Sequence, residues 1–207
     1  CARRHRSSKP APVPDGFAAQ FARARVTAVG APTFATHREA VACAEDLAPR
    51  IRARVADAER LRRLPDETVT DLLASGLCLL LVPRSVGGSE LNYDTVLDVT
   101  CALGNACPST GWVYCLWTAH LWLIAQLPEH LQRAVFESPR PLVSSVVNTV
   151  GTPTIVDGGY RWTGRGFFSS GVDHCAWLTP AMIGGLFVYA VLSSILRDPS
   201  TRALYLF

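Results

Sequence analysis

The sequence predicts an α+β fold, in which an all-helical N-terminal domain is followed by an antiparallel, barrel-like β domain. Apolar residues recur every three or four positions between Thr36 and Ser138, which is the spacing of amphipathic helices. From Leu142 onward, short runs of β-branched and aromatic residues are separated by glycine and proline, which is typical of strands. This change of pattern predicts a helical domain over residues 36–140 and a β domain over residues 141–207.

Composition narrows the class of protein. With 207 residues, 49% of them hydrophobic, and a net charge of +3, the chain can bury a sizeable core. Acidic residues alternate with basic ones along the first long helix, so we expect a solvated face and no nucleic-acid partner. Seven cysteines without a C-x-x-C pair indicate reduced thiols and a cytoplasmic location. Residues 176–196 lack charge, but Pro180 and Gly184-Gly185 interrupt them, which favours buried strands over a membrane span.

The N-terminal part begins with a tail and two helices. Residues 1–35 are rich in Ala, Pro, Arg and Ser without a sustained period, so we expect a disordered tail. Thr36-His37-Arg38-Glu39 is a capping box that predicts a long helix, bent at Pro49 because proline removes a backbone hydrogen bond. Pro65-Asp66-Glu67 opens a second helix, and Gly76 is placed to end it.

Three further helices complete the helical domain. The pattern predicts a third helix over residues 93–106, which Pro108 breaks. Ser109 is placed to cap the next helix, residues 109–127, which is nearly all apolar and must be buried on most sides. Pro128 starts a short helix with Glu129 in its first turn.

The β domain is predicted to contain seven short strands. They are residues 143–147, 154–156, 160–162, 167–169, 176–182, 186–192 and 203–207. Asp157-Gly158-Gly159 is a hairpin signal between two of them. The block from Gly158 to His174 is interpreted as two strands around a tight turn, ending in the small hydroxyl residues that precede Gly171.

Several polar residues beside apolar segments are candidates for a site. His120 and Trp112 lie on the predicted buried helix, about 80° apart around its axis, so they can border one cavity. The β domain adds Ser144 and Ser145 in its first strand, Asn148 in the following loop, and Ser169 and Ser170 at a strand end. Ordinary structure explains the same residues as a core histidine bonded to a backbone carbonyl, a core tryptophan and polar strand ends. Asp173-His174 is interpreted as a turn, and we expect no metal site because a second ligand pair is missing.

Five segments follow one another in an order that resembles a known family. They are Arg63-Leu64-Pro65-Asp66-Glu67-Thr68-Val69, Val86-Gly87-Gly88, Ser109-Thr110-Gly111-Trp112-Val113, His120 and the block of residues 158–177. Together they resemble flavin-dependent two-component monooxygenases, specifically the oxygenase components built on the acyl-CoA dehydrogenase fold. Each segment is weakly specific, and the resemblance, over residues 37–180, rests on their order and spacing.

The resemblance implies a reaction and a set of roles. It implies reduced flavin (FMNH2 or FADH2) from a separate reductase, O2 as co-substrate, and hydroxylation of a small phenolic or other aromatic substrate through a flavin C4a-hydroperoxide. His120 would bind or deprotonate the phenol, and Ser169 or Ser170 would face flavin N5. Trp112, Ser144, Ser145 and Asn148 would line the flavin or the substrate. The family carries an aromatic residue where this chain has Gly166, with Phe167 and Phe168 beside it.

The family chain continues with a C-terminal helical bundle that builds a tetramer. No such bundle follows here, so we expect an incomplete β domain, an open apolar sheet that promotes association, and a chain inactive alone. An FAD-dependent acyl-CoA dehydrogenase fragment and a non-catalytic remnant remain alternatives.

Overall fold

The computed structural model describes residues 30–146, 148–157 and 159–180, and places helices before strands. The helices are α1 (His37–Ala53), α2 (Val55–Leu61), α3 (Asp66–Ala74), α4 (Tyr93–Ala106), α5 (Pro108–Ile124) and α6 (Glu129–Phe136). The strands are β1 (Val143–Val146), β2 (Asn148–Val156), β3 (Gly159–Phe167) and β4 (Trp177–Pro180). Short 3-10 turns form at Leu77–Leu79, Arg84–Val86 and Val172–His174. Residues 1–29 of the predicted tail and the predicted strands at 186–192 and 203–207 lie outside the described residues.

The capping box at the start of α1 is confirmed. The Thr36 hydroxyl accepts a hydrogen bond from the Glu39 N–H at 3.3 Å, and the Glu39 carboxylate accepts one from the Thr36 N–H at 3.1 Å. Helix α1 continues through Pro49, where a bend stays a prediction, and the long helix is interrupted at Arg54. Pro49 lies on the exposed side of α1, where water can hydrate the carbonyl that loses its partner.

The core forms where α1 packs on α4 and α4 packs on α5. The largest side chains that these helices bury completely are Ile51, Leu103, Tyr114, Trp117 and Leu121. The crossing of α4 and α5 requires glycine, because a Cβ on Gly111 would lie 2.7 Å from the Gly104 Cα. Helix α5 buries eight of its 17 residues, but Trp112 and Trp122 are exposed, so the expectation that it is buried on most sides is met only in part.

The start of α5 differs from the expectation. Ser109 does not cap the helix: Cys107 is the N-cap residue, without a side-chain hydrogen bond, and Pro108 occupies the first turn. Proline is tolerated there because its missing N–H would have no intrahelical partner. Pro108 therefore follows the end of α4, as predicted, and also begins α5. Within the described residues, no helix is long and apolar enough to cross a bilayer.

Strands β2 and β3 pair antiparallel, with Val156 opposite Gly159 and Asn148 opposite Phe167. This pairing confirms the predicted hairpin around Asp157. The tight turn expected inside the block of residues 158–174 is wrong, because β3 is one continuous strand in which Gly164 lies opposite Gly151. Because β2 pairs with β3 along its whole length, the glycines of β3 lie within the strand and form no turn.

Strands β1 and β4 pair in parallel, so the prediction of an all-antiparallel domain is wrong for this pair. The β2–β3 hairpin and the turn after it provide the long crossover that parallel pairing requires. The described residues form two two-stranded sheets and no closed barrel. The predicted order of helices before strands is confirmed, and β1 lies against α5.

Candidate functional site

The candidate residues come from three elements that meet at one place. α5 carries Trp112 and His120, β1 carries Ser144 and Ser145, and the turn after β3 carries Ser169 and Ser170. Side-chain hydrogen bonds bring these six residues together. Asn148, predicted to lie in a loop, is instead the first residue of β2. No group of three or more metal-binding side chains is found in the described part of the chain.

His120 has both ring nitrogens engaged. Its Nδ1 lies 3.1 Å from the Val143 carbonyl oxygen, which can only accept, so Nδ1 carries the proton. In the neutral ring Nε2 is then an acceptor, and the Ser145 hydroxyl donates to it at 2.8 Å. Burial lowers the pKa of His120, and the hydrogen bond to Val143 opposes that shift. The imidazole is therefore held neutral near pH 7 and orients the Ser145 hydroxyl.

Ser144 and Ser169 form the link between β1 and the turn. Their hydroxyl oxygens are 2.7 Å apart, Ser144 Oγ is 3.1 Å from the Ser170 carbonyl oxygen, and Ser169 Oγ is 3.0 Å from the Ser145 carbonyl oxygen. Two hydroxyl protons cannot serve all three contacts, so at any moment one of the three lacks a proton. Both hydroxyls are consequently committed to each other and to the backbone.

Ser170 differs from its neighbour because its hydroxyl proton is available. The Trp112 indole N–H donates to Ser170 Oγ at 3.2 Å, so this oxygen acts as an acceptor. A hydroxyl can donate while it accepts, which leaves Ser170 able to donate to a ligand. The Trp112 side chain is 63% exposed, and its ring offers an apolar surface beside that donor.

A cleft of about 700 Å³ opens beside Trp112 and Ser170. This volume lies within the roughly 300–1,000 Å³ typical of small-molecule sites. The junction of α2 and α3 contributes Arg62 and Arg63, and the turn after β3 contributes Gly171 and His174. The cleft thus combines an aromatic surface and a free hydroxyl donor with charges of both signs, because Glu59 and Asp173 also line it and Arg63 is paired with Asp66. The aromatic surface suits a flat ligand.

Sequence reasoning missed His174, which was interpreted as part of a simple turn. The side chain is 1% exposed, and its Nε2 lies 2.9 Å from the Leu64 carbonyl oxygen. The only local signal is its position between Gly171 and Cys175, at the end of the serine-bearing segment. Its partner lies 110 residues earlier in the chain, which no local pattern indicates.

The departure at Gly166 has a physical explanation. A Cβ at this position would overlap the Val146 side chain of β1, so an aromatic residue would not fit without movement of that valine. The two rings beside Gly166 stay outside the core. Phe168 is 93% exposed, and Phe167 is 44% exposed, with the Arg165 guanidinium 5.3 Å from the centre of its ring. Phe168 has a φ of 60°, a conformation that costs an L-residue about 1–2 kcal/mol.

Comparisons with known proteins show which proteins this chain resembles. The chain is 37% identical over 134 residues to a pigment production hydroxylase of Rhodococcus sp., covering 64% of this chain and 35% of that protein. It is 38% identical over 146 residues to HsaA, the oxygenase subunit of a flavin-dependent monooxygenase of Mycobacterium tuberculosis, covering 70% of this chain and 36% of that protein. The oxygenase component of an FADH2-dependent resorcinol hydroxylase of Rhizobium sp. is 35% identical over 126 residues, with coverages of 60% and 31%.

Solved structures give the same result. The crystal structure of HsaA from M. tuberculosis matches with a TM-score of 0.65 and 36% identity, over 70% of this chain and 40% of that one. XiaF from Streptomyces sp., solved in complex with FADH2 and glycerol, matches with a TM-score of 0.65 and 33% identity, over 70% and 37% of the two chains. The chain spans about a third of the length of the curated relatives that it matches. No protein-family model matches the chain.

Proposed function

We propose a function for this chain on the premise that it is a homologue of the oxygenase components of flavin-dependent monooxygenases. We propose that it supplies the helical wall and the serine-bearing edge of a site that binds reduced flavin and hydroxylates a phenolic or other aromatic compound. When bound, the flavin supplies the activation of O2. The hydroperoxide route implied by the resemblance stays a prediction.

One observation carries this proposal: a set of hydrogen-bonding contacts connects Trp112 at one end of the site to His120 at the other. It runs through Ser170, Ser144, Ser169 and Ser145, and within Ser170 and Ser145 the connection passes covalently between the hydroxyl and the backbone carbonyl. At one end lie the exposed Trp112 ring and the free Ser170 donor, and at the other end lies the neutral His120 imidazole. A flavin-dependent hydroxylase needs both ends: a surface that holds the flavin and a group that receives the phenolic proton.

We assign the flavin contact to Ser170 and not to Ser169. The Ser169 hydroxyl is committed to Ser144 and to the Ser145 carbonyl, whereas the Ser170 hydroxyl keeps a proton for a ligand. The Trp112 ring beside it supplies a flat apolar surface. The residues present therefore fit an isoalloxazine ring with a hydrogen-bonding edge.

We place the phenolic oxygen against Ser145, and His120 acts through that serine. Nε2 of His120 already accepts the Ser145 hydroxyl proton at 2.8 Å, so a phenol reaches the base by hydrogen bonding to Ser145 Oγ. As the phenol gives its proton to that oxygen, Ser145 passes its own proton to Nε2. The Val143 carbonyl then stabilises the resulting imidazolium through Nδ1.

The cofactor and partners follow from the names of relatives. One relative is named FADH2-dependent, and one structural neighbour was solved with FADH2, which favours FADH2 over FMNH2. The names "oxygenase component" and "oxygenase subunit" support a separate flavin reductase as partner. The tetramer and the cytoplasmic location stay predictions.

Anaerobic titration of the chain with reduced FAD, reduced FMN and oxidised FAD tests the proposal. We expect the tightest binding for reduced FAD, detected by quenching of tryptophan fluorescence. Ser170→Ala should weaken binding roughly threefold to tenfold through one lost hydrogen bond, and Ser169→Ala serves as the matched comparison. Tight binding of oxidised FAD with a CoA thioester would instead indicate an acyl-CoA dehydrogenase. No binding in either redox state would indicate a non-catalytic remnant.

A further inference from the structure

His174 is a buried histidine to which the proposed reaction assigns no role. It ends the 3-10 turn Val172–His174, which follows directly on the turn that carries Ser169 and Ser170. Its side chain reaches the junction of α2 and α3, where Nε2 lies 2.9 Å from the Leu64 carbonyl oxygen. The histidine therefore joins the serine-bearing turn to the helical part of the chain beside the cleft, which it helps to line.

The surroundings of the ring determine which nitrogen carries its proton. A carbonyl oxygen only accepts, so the 2.9 Å contact with Leu64 favours a proton on Nε2. The other tautomer would accept from Arg63 Nη1 at 3.4 Å and turn Nδ1–H toward Asp66 at 3.5 Å, and both of these contacts are longer. Nδ1 faces Asp66 Oδ1 at 3.5 Å, and Arg63 bonds to that carboxylate at 3.0 Å. The side chain thus donates one specific hydrogen bond, from Nε2 to Leu64.

Backbone hydrogen bonds within the turn connect His174 to the segment that carries Ser169 and Ser170. The His174 N–H donates to the Gly171 carbonyl at 3.2 Å, and the Val172 N–H donates to the Ser169 carbonyl at 3.1 Å. The His174 ring also meets the buried Trp117 ring edge-on, with 6.2 Å between the ring centres. A shift of the histidine would therefore move the backbone that presents both serines.

We propose that His174 is a positioning residue, whose Nε2–H···O=C bond to Leu64 holds Ser170 against Trp112 in the orientation that receives the flavin. The part of this inference that concerns flavin binding rests on the proposed function. The geometric part concerns only the contact between Trp112 and Ser170, and it can be tested without flavin.

Two substitutions separate the hydrogen bond from the bulk of the side chain. His174→Gln places an amide N–H where Nε2–H stands, whereas His174→Asn is one bond shorter and cannot reach the Leu64 carbonyl. The readout is the indole N–H signal of Trp112 in a ¹H–¹⁵N spectrum of the flavin-free chain, assigned with Trp112→Phe. Val99→Ala, a fully buried change in α4 away from the cleft lining, controls for general destabilisation.

We expect His174→Asn to shift the Trp112 indole signal toward that of a water-exposed indole, and His174→Gln and Val99→Ala to leave it unchanged. We expect His174→Asn to weaken binding of reduced FAD roughly threefold to tenfold, with recovery in His174→Gln. An unshifted Trp112 signal in His174→Asn, or an equal shift in His174→Asn and His174→Gln, overturns the proposal. If His174→Asn does not fold, the imidazole ¹⁵N spectrum of the unsubstituted chain decides, because an Nδ1–H tautomer would exclude the bond to Leu64. A wild-type chain that binds no reduced flavin would refute the proposed function and leave the spectral test intact.

Discussion

Gly171→Ala is expected to destabilise the chain strongly, because two separate costs meet at this residue. Gly171 has a φ of 75°, and the left-handed conformation costs an L-residue about 1–2 kcal/mol. The added Cβ would also lie 2.6 Å from Val113 Cγ1 and 2.7 Å from Trp117 Nε1. Neither atom can move freely, since Val113 is β-branched on a helix and Trp117 is fully buried. Overpacking of this kind costs about 1–3 kcal/mol, so the total loss should be about 2–5 kcal/mol.

Gly87→Ala is the matched control for this prediction. Gly87 has a φ of 91°, but nothing lies within 4 Å of the position that an alanine methyl would take, so only the backbone cost applies. The gain that alanine brings by restricting the unfolded chain is common to both variants and cancels in the comparison. Urea unfolding followed by circular dichroism should place Gly171→Ala about 1–3 kcal/mol below Gly87→Ala in free energy of unfolding. Equal stabilities of the two variants would refute the claim that the serine-bearing turn after β3 packs tightly against α5.

Three further predictions concern buried polar groups. Ser144→Ala should lower the free energy of unfolding by about 1–3 kcal/mol, because Ser144 is fully buried and its loss removes the donor to the Ser170 carbonyl and one partner of Ser169; urea unfolding measures this. Tyr114→Phe removes the buried hydroxyl that donates to the Leu77 carbonyl at 3.1 Å, and the same assay should show a loss of about 1 kcal/mol. The pKa of His174 is lowered mainly by burial, so its contribution to stability is present above the unfolded pKa and lost as pH falls through the folded pKa. Charges that face it are Arg63, Asp66 and Asp173. Unfolding at pH 7.5 and 5.5 should therefore show a loss in acid that His174→Gln reduces, and an unchanged loss would contradict the assignment.

The helices could be predicted because their signals are local. A capping box at Thr36, a proline before Asp66 and a glycine at position 76 each act within one or two turns, and each marks a helix end in the structure. The placement of Trp112 and His120 on one helix followed from the same periodicity. Contacts between neighbours in sequence are therefore the ones that the sequence predicts.

Strand pairing and the anchor of the site could not be predicted in this way. The parallel partner of Val143 is Trp177, and β3 is continuous only because β2 lies beside it along its whole length. The importance of His174 depends on the Leu64 carbonyl, which becomes its neighbour only after the chain has folded. These are long-range pairings, and no local residue pattern distinguishes them from turns or loose strand ends.

The two consecutive serines of β1 have different partners because successive side chains in a strand point to opposite faces. Ser144 contacts the serine-bearing turn and Ser145 contacts His120 on α5, so β1 fixes the turn and the base relative to each other. A shift of one residue in the pairing of β1 with β4 would exchange these faces and break both contacts. The Thr179 hydroxyl, which donates to the Ser144 carbonyl at 3.3 Å, helps to hold that register. The spatial relation between flavin and base therefore depends on the register of β1 as much as on the site residues themselves.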